Sequence, residues 1–240
     1  MKKIFLFIFS FFIVFSSNSE IAKAQEMESN TNDVRLNINS PSVILMEYST
    51  GKILYSKDIN KKMYPASMTK MMAIYLFLEE IEKGNHTFEE TVTVSTLASN
   101  MGGSQIFLKE HEQMSFKDLF TAVTVASAHD AVVALAEQTY GSLGSFIEEM
   151  NQRAKEFGMN NTNFVNVTGF HDTNHYTTTY DMAILARRLL KDYKDTLLPF
   201  TSIYDTYLRE NTSSPFWLVN TNRMLKFYQG MDGLKTGVLV

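Results

Sequence analysis

The chain of 240 residues contains no cysteine. That absence excludes disulfides, a thiol nucleophile and every metal site built on thiolates. Stability must come from a core, and 45% hydrophobic against 20% charged residues is ordinary globular composition. An excess of positive charge is missing too: 22 Lys and Arg face 26 Asp and Glu, for a net charge of −4. Nucleic-acid binding wants a basic face, and this chain has no such signature. The apolar run Ile4–Phe15 is too short for an easy membrane span. There is no internal repeat and no low-complexity segment.

What is present begins with that run. Lys2 and Lys3 precede it, and a polar stretch ending in Ala22-Lys23-Ala24 follows. This order is that of a secretory signal peptide over 1–24, cleaved after Ala24, with an uncleaved N-terminal anchor as the alternative. Residues 1–24 carry a net charge of +2, so their removal from −4 leaves −6. Residues 25–38 read as a polar leader, and 39–240 as one domain large enough for a real core.

Within that domain, Pro41–Asp58 reads as a hairpin, with strands at Val43–Tyr48 and Ile53–Tyr55 around Ser49-Thr50-Gly51-Lys52. Ala66–Lys83 reads as a helix ended by Gly84, apolar on nearly every side and therefore central. Val92–Val94 is a short strand candidate, and Asn100–Met114 is loop-like. Ser115 and Asp118 resemble a capping box for a helix that buries Phe116, Leu119, Phe120 and Val123. Helices follow over Asp130–Tyr140 and about Ser145–Phe157, ended by Gly141 and Gly158. Asn160–Tyr180 is a long polar loop, a length that is often functional. Thr179–Tyr193 is an amphipathic helix with Arg187 and Arg188 on its wet side, and Leu234–Val240 reads as the start of a strand.

One apolar helix carries a lysine in its first turn. Lys70 follows Ser67 by one helical turn, and Met68, Met71 and Met72 surround it. The bland reading is a lysine that snorkels to water, with the methionines as core packing. The chemical reading is a desolvated amine that takes the proton of a serine hydroxyl, which is a poor nucleophile without such a neighbour. The helix N-terminus would add exposed amides and the positive dipole end. Ser-x-x-Lys alone recurs by chance. Two later stretches change this: Ser127-Ala128-His129 between two helices, and Lys235-Thr236-Gly237 at a strand start. Taken singly, Ser127 would be a helix cap and Lys235 a solvated strand end. His171 and His175 have no carboxylate pattern that would make them a metal pair.

Ser67-Met68-Thr69-Lys70, Ser127-Ala128-His129 and Lys235-Thr236-Gly237 match in order and spacing the three motifs of penicillin-binding proteins and serine β-lactamases. The surrounding stretches "SVILMEYSTGKILYSKD", "YPASMTKMM", "GGSQIFLKE", "VASAHDAVVALAE" and "HYTTTYDMAILARRLL" resemble the low-molecular-weight D-alanyl-D-alanine carboxypeptidases. The resemblance covers roughly 40–237. It implies an α/β (α+β) fold of the β-lactamase/transpeptidase-like type, an antiparallel sheet flanked by helices with an all-helical subdomain. It implies that Ser67 attacks the carbonyl between two D-alanines of a peptidoglycan pentapeptide, with Lys70 as base. Ser127 would relay a proton to the leaving amine, Lys235 would supply positive charge, and Thr236 would bind the terminal carboxylate. Gly237 and His129 would complete the substrate-binding site, and the backbone amides of Ser67 and Val238 would form the oxyanion hole. β-Lactam antibiotics would acylate the same serine, without cofactor or metal. The protein would be exported to the cell wall or its membrane.

The sequence departs from that pattern at three places. His129 stands where the family carries Asn, and an imidazole can charge near pH 6 to 7. His111 stands where Gly is usual, which strains a turn that needs positive φ. Only Val238-Leu239-Val240 follow the third motif, where the family continues with further strands and a helix, so the reading expects a truncated domain. Two rivals remain: a catalytically impaired remnant of the family, and a β-lactamase, for which no second base stands out after Ser127.

Overall fold

The computed structural model describes residues 36–238. The expected signal peptide and most of the leader lie outside the described residues, as do 239 and 240. The fold divides into two compact units, one ending at Asp58 and one beginning at Ile59.

The first unit is the expected hairpin. Strands β1 (Val43–Met46) and β2 (Ile53–Lys57) pair antiparallel, with a register shift between Leu45 and Met46. Glu47 closes the turn: its carboxylate accepts from the backbone N–H groups of Ser49 and Thr50 and from both hydroxyls. Those bonds to the charged form pull its pKa down to about 2.

The second unit is built on helix α1 (Lys70–Glu82), entered through a 3-10 turn at Ala66–Thr69. Met72, Ala73, Leu76 and Phe77 have no exposed surface. Each large apolar side chain so buried contributes about 1.5–3 kcal/mol. The short strand β3 (Thr91–Thr93) follows, then α2 (Thr96–Ser99), and β4 (Gln113–Ser115) pairs antiparallel with β3. The segment read as a loop thus ends in a strand, whose three residues are too few to carry an alternation signal. Ser115 caps α3 (Phe116–Thr121) by accepting from the Asp118 N–H at 3.0 Å. Phe116, Leu119, Phe120 and Val123 are all fully buried, as their spacing predicts. A π-turn over Ala122–Ala126 then ends at Ser127. Helices α4 (His129–Tyr140) and α5 (Leu143–Glu156) follow, and α1 lies against both.

Helix α6 (Thr179–Thr201) also packs on α1 and outruns its expected end. Tyr193, where the sequence reading stops, has non-helical φ −130° and ψ 19°, so the chain kinks there. Leu197 and Phe200 continue the buried spacing of Leu185, Leu189 and Tyr193 and carry the helix past the kink. The hairpin of β5 (Asp205–Leu208) and β6 (Phe216–Val219), and the single turn α7 (Met224–Phe227), were not foreseen. Among the described residues the strands form three separate two-stranded ladders rather than one sheet. The expected strand from Leu234 is likewise not formed over 234–238. Gly233 (φ 90°) and Leu234 (φ 58°) turn the backbone out of the extended region, and no described strand lies alongside.

His111 adopts φ 63° with an exposed side chain. An L-residue in the left-handed region costs about 1–2 kcal/mol, part of which glycine returns as lost backbone entropy. His111→Gly is therefore expected to stabilise the protein by roughly 0.5–1 kcal/mol. Urea unfolding at neutral pH measures this, and an unchanged or lower midpoint contradicts it.

Candidate active site

The 3-10 turn that carries Ser67 is held from two sides. Pro65 precedes it with φ −73°, and Ala66 then takes φ 48°. Gly169 (φ 88°) lies against the Ala66 carbonyl so closely that a Cβ there would sit 1.9 Å from the oxygen. Only glycine fits this approach. From the other side Gly237 meets the turn, with room for a Cβ only 3.1 Å from the Pro65 carbonyl oxygen. The third motif thus reaches the first without forming a strand.

Lys70 does not snorkel. It has no exposed surface, and its ammonium donates to the Thr168 carbonyl at 2.7 Å and to Ser67 Oγ at 3.3 Å. Burial first, and the Lys235 charge second, hold its pKa well below the usual lysine range. Lys235 is itself buried enough to fall to about 8, and it donates to its neighbour's carbonyl, Thr236 O, at 3.1 Å. The Lys235 charge thus acts on Lys70, and no described carboxylate is paired with either amine.

Ser127 stands at the end of the π-turn with φ 61° and ψ 31°. Its Oγ is buried and has no hydrogen-bond partner among the described residues. A left-handed serine with an unpaired buried hydroxyl costs stability at both backbone and side chain, a combination that clusters at functional sites. His129 begins α4. Its backbone N–H donates to Ser104 O at 2.7 Å, and its Nδ1 lies 3.0 Å from Gly102 O. A carbonyl only accepts, so Nδ1 carries the proton and Nε2 the lone pair. Burial, and then the Lys70 charge, push the ring down to about 4. The expected charging of His129 near pH 6 to 7 therefore does not occur in the folded protein. The loop it touches is pinned by Asp130, whose buried carboxylate accepts from the Ile106, Leu108 and Ala131 N–H groups. Gly103 (φ 86°) packs on the His129 ring, where a Cβ would overlap Nδ1 at 2.4 Å.

Ser67, Ser127, His129, Thr236 and Val238 line one cavity of about 460 Å³, with Tyr64, Phe170 and His171 on its apolar lip. Lys235 is not on its wall but lies close enough to perturb Lys70 and His129. Thr236 Oγ1 donates to Thr221 Oγ1 at 2.7 Å, which fixes the third motif against the segment after β6. The sequence reading named neither Thr168, Gly169 nor Thr221. Their signal was faint: a Thr-Gly pair in a polar loop, and a threonine among asparagines. His171 and His175 both line this cavity, His171 edge-on to Tyr64 at 4.3 Å and His175 from a buried position. Among the described residues no cluster of three His, Cys, Asp or Glu could hold a metal ion.

The profile of the peptidase S11 D-alanyl-D-alanine carboxypeptidase family matches residues 25–239. The chain belongs to that family. A D-alanyl-D-alanine carboxypeptidase of Bacillus subtilis, DacF, is 48% identical over 82% of the chain. DacA of Haemophilus influenzae is 34% identical over 83% of it. The chain spans about half the length of these relatives. The solved structure of penicillin-binding protein 5 of Haemophilus influenzae superposes with a TM-score of 0.80 at 32% identity. It covers 86% of this chain, and the match covers 59% of that structure. Penicillin-binding protein D2 of Listeria monocytogenes, solved with ampicillin bound, superposes with a TM-score of 0.74 at 27% identity, covering 86% and 82%. The fold is therefore the transpeptidase-like type that the family shares.

Two buried imidazoles set an acid limit. His129 and His175 both fall from 6.5 to about 4, so the folded state binds fewer protons than the unfolded state between those values. Stability is full above pH 6.5 and is lost as pH falls through 4, by up to about 3 kcal/mol for each ring. Urea unfolding between pH 7 and 4 measures this loss, and His129→Asn is expected to remove roughly half of the slope. Equal slopes in wild type and variant contradict the assignment.

Proposed function

We propose that the chain is a serine D-alanyl-D-alanine carboxypeptidase of the bacterial cell wall that works through an acyl-enzyme on Ser67. The observation that carries this reading is the dry Lys70 amine 3.3 Å from Ser67 Oγ. An amine whose pKa is depressed gives up its proton more readily than an ordinary lysine and, once neutral, accepts the hydroxyl proton as Oγ forms its bond to the carbonyl between the two D-alanines. The tetrahedral oxygen would be met by the amides of Ser67 and Val238. As the C–N bond breaks, Ser127 Oγ hands a proton to the departing D-alanine amine and is replenished from Lys70. Thr236 and the Lys235 charge would hold the substrate's terminal carboxylate. Water then attacks the ester, returning a proton to Ser67 and releasing the shortened stem peptide. The relatives named above are carboxypeptidases by name, and the Listeria structure holds ampicillin, which supports β-lactams as competing acylating agents. The positively charged and apolar N-terminus supports export.

One observation favours a second reading, a binder with impaired turnover. Nδ1–H of His129 is committed to Gly102 O, so the ring has only an acceptor to give, where an amide would give a donor as well.

A fluorescent penicillin tests both. The carboxypeptidase reading expects stoichiometric covalent labelling mapped to Ser67, abolished by Ser67→Ala and slowed about 10²–10⁴-fold by Lys70→Met. Folded wild type that stays unlabelled while His129→Asn is labelled supports the impaired reading. Labelling that survives Ser67→Ala overturns both.

A further inference from the structure

His175 is buried at 1% exposure inside the long loop, away from all three motifs in sequence. Both of its ring nitrogens are used. The Val165 N–H donates to Nδ1 at 3.0 Å, which places the lone pair there. Nε2 therefore carries the proton and donates it to Thr69 Oγ1 at 2.7 Å. Thr69 is also fully buried, and it stands between Ser67 and Lys70 on the 3-10 turn. The ring packs on Phe164 with centroids 5.8 Å apart.

The two ends of this link matter for what lies between them. Val165 begins the short run that includes Thr168, whose carbonyl accepts from Lys70, and Gly169, which rests on Ala66. Asn166 folds the run over, its Oδ1 accepting from the Gly169 N–H at 2.7 Å. Farther out, the loop is tied to the chain before the turn by the Met63–Thr177 bridge. Besides Lys70 itself, which reaches Thr168 O and Ser67 Oγ, His175 is a side chain that bonds both to the run and to the catalytic turn.

We propose that His175 is a positioning residue: its neutral imidazole ties the 165–169 run to Thr69 and so keeps the Lys70 amine on the Thr168 carbonyl and out of water. This rests on the reading of Lys70 as the base for Ser67. The groups facing the two centres are few. Asp172 is the charge that acts on His175, and Lys235 and His129 stand near Lys70. Depression of the ring to about 4 keeps the link intact through the neutral range. Without the link, the run lifts, water reaches the amine, and its pKa rises towards the ordinary value.

The test is the pH dependence of acylation by fluorescent penicillin in His175→Gln, Thr69→Val and Thr69→Ser, each checked for folding by thermal unfolding. Thr69→Val removes the acceptor at nearly constant shape, while Thr69→Ser keeps it. The acid limb is expected to move up by at least about one pH unit in His175→Gln and Thr69→Val. Thr69→Ser is expected to keep the wild-type limb. Coincident limbs in folded Thr69→Val and Thr69→Ser overturn the proposal, even where His175→Gln fails to fold. If wild type takes no penicillin, the acyl-enzyme reading falls, and an amine-acylating reagent followed by peptide mapping decides the link instead. Lys70 is then expected to be protected in wild type and Thr69→Ser and modified in Thr69→Val. Equal protection in all three overturns the proposal.

Discussion

The structure turns on one dehydrated amine. Lys70 is buried completely in the apolar wall of α1, where an ammonium loses hydration that two hydrogen bonds only partly replace. Its head meets Ser67 and Thr168. A surface ion pair would have been cheaper to fold and useless as a base. The site therefore places a cost in stability where the chemistry needs a low proton affinity. The Lys235 charge deepens the effect, because a nearby like charge disfavours protonation of Lys70.

Much of the second unit can be understood as a frame around that amine. The long loop supplies the Thr168 carbonyl, and Gly169 and Gly237 let two backbone runs close on the Ser67 turn. Asp130 holds the 104–108 segment beside His129, and Arg209 reaches the same segment through Ile106 O at 3.0 Å. Several residues adopt backbone or burial states that cost free energy: Ala66, Ser127 and Leu234 at positive φ, and the unpaired Ser127 hydroxyl. All of these lie at or next to the three motifs. Positive φ also occurs away from the motifs, at Asp58, Phe107, His111 and Arg209, so what sets the site apart is the buried, unpaired Ser127 hydroxyl and the close approach of Gly169 to Ala66.

The parts of this arrangement that were legible in the sequence share a physical cause. Helix α1 was readable because continuous apolarity between a proline and a glycine has few other solutions, and α3 because Ser115 and Asp118 announce a cap. The three motifs were readable because each is contiguous. What stayed hidden is carried by single residues and tertiary contacts. Strands of three or four residues leave no periodic trace, so β4 and the β5–β6 hairpin were missed. The Thr168 carbonyl is a backbone group, and no side chain advertises it. His175 was weighed only as half of a metal pair, and its bonds to Val165 and Thr69 are tertiary contacts that its neighbours in the chain do not announce. The burial of His129, and hence its neutrality, could not be read from its neighbours in the chain.

The most direct test of this account is the titration of the Lys70 amine itself, followed by nuclear magnetic resonance of selectively labelled lysine in the folded protein and assigned with Lys70→Met. The account predicts a resonance that titrates well below the ordinary lysine value of 10.5. A Lys70 amine that titrates at or above that value, as a hydrated or ion-paired lysine does, would contradict it.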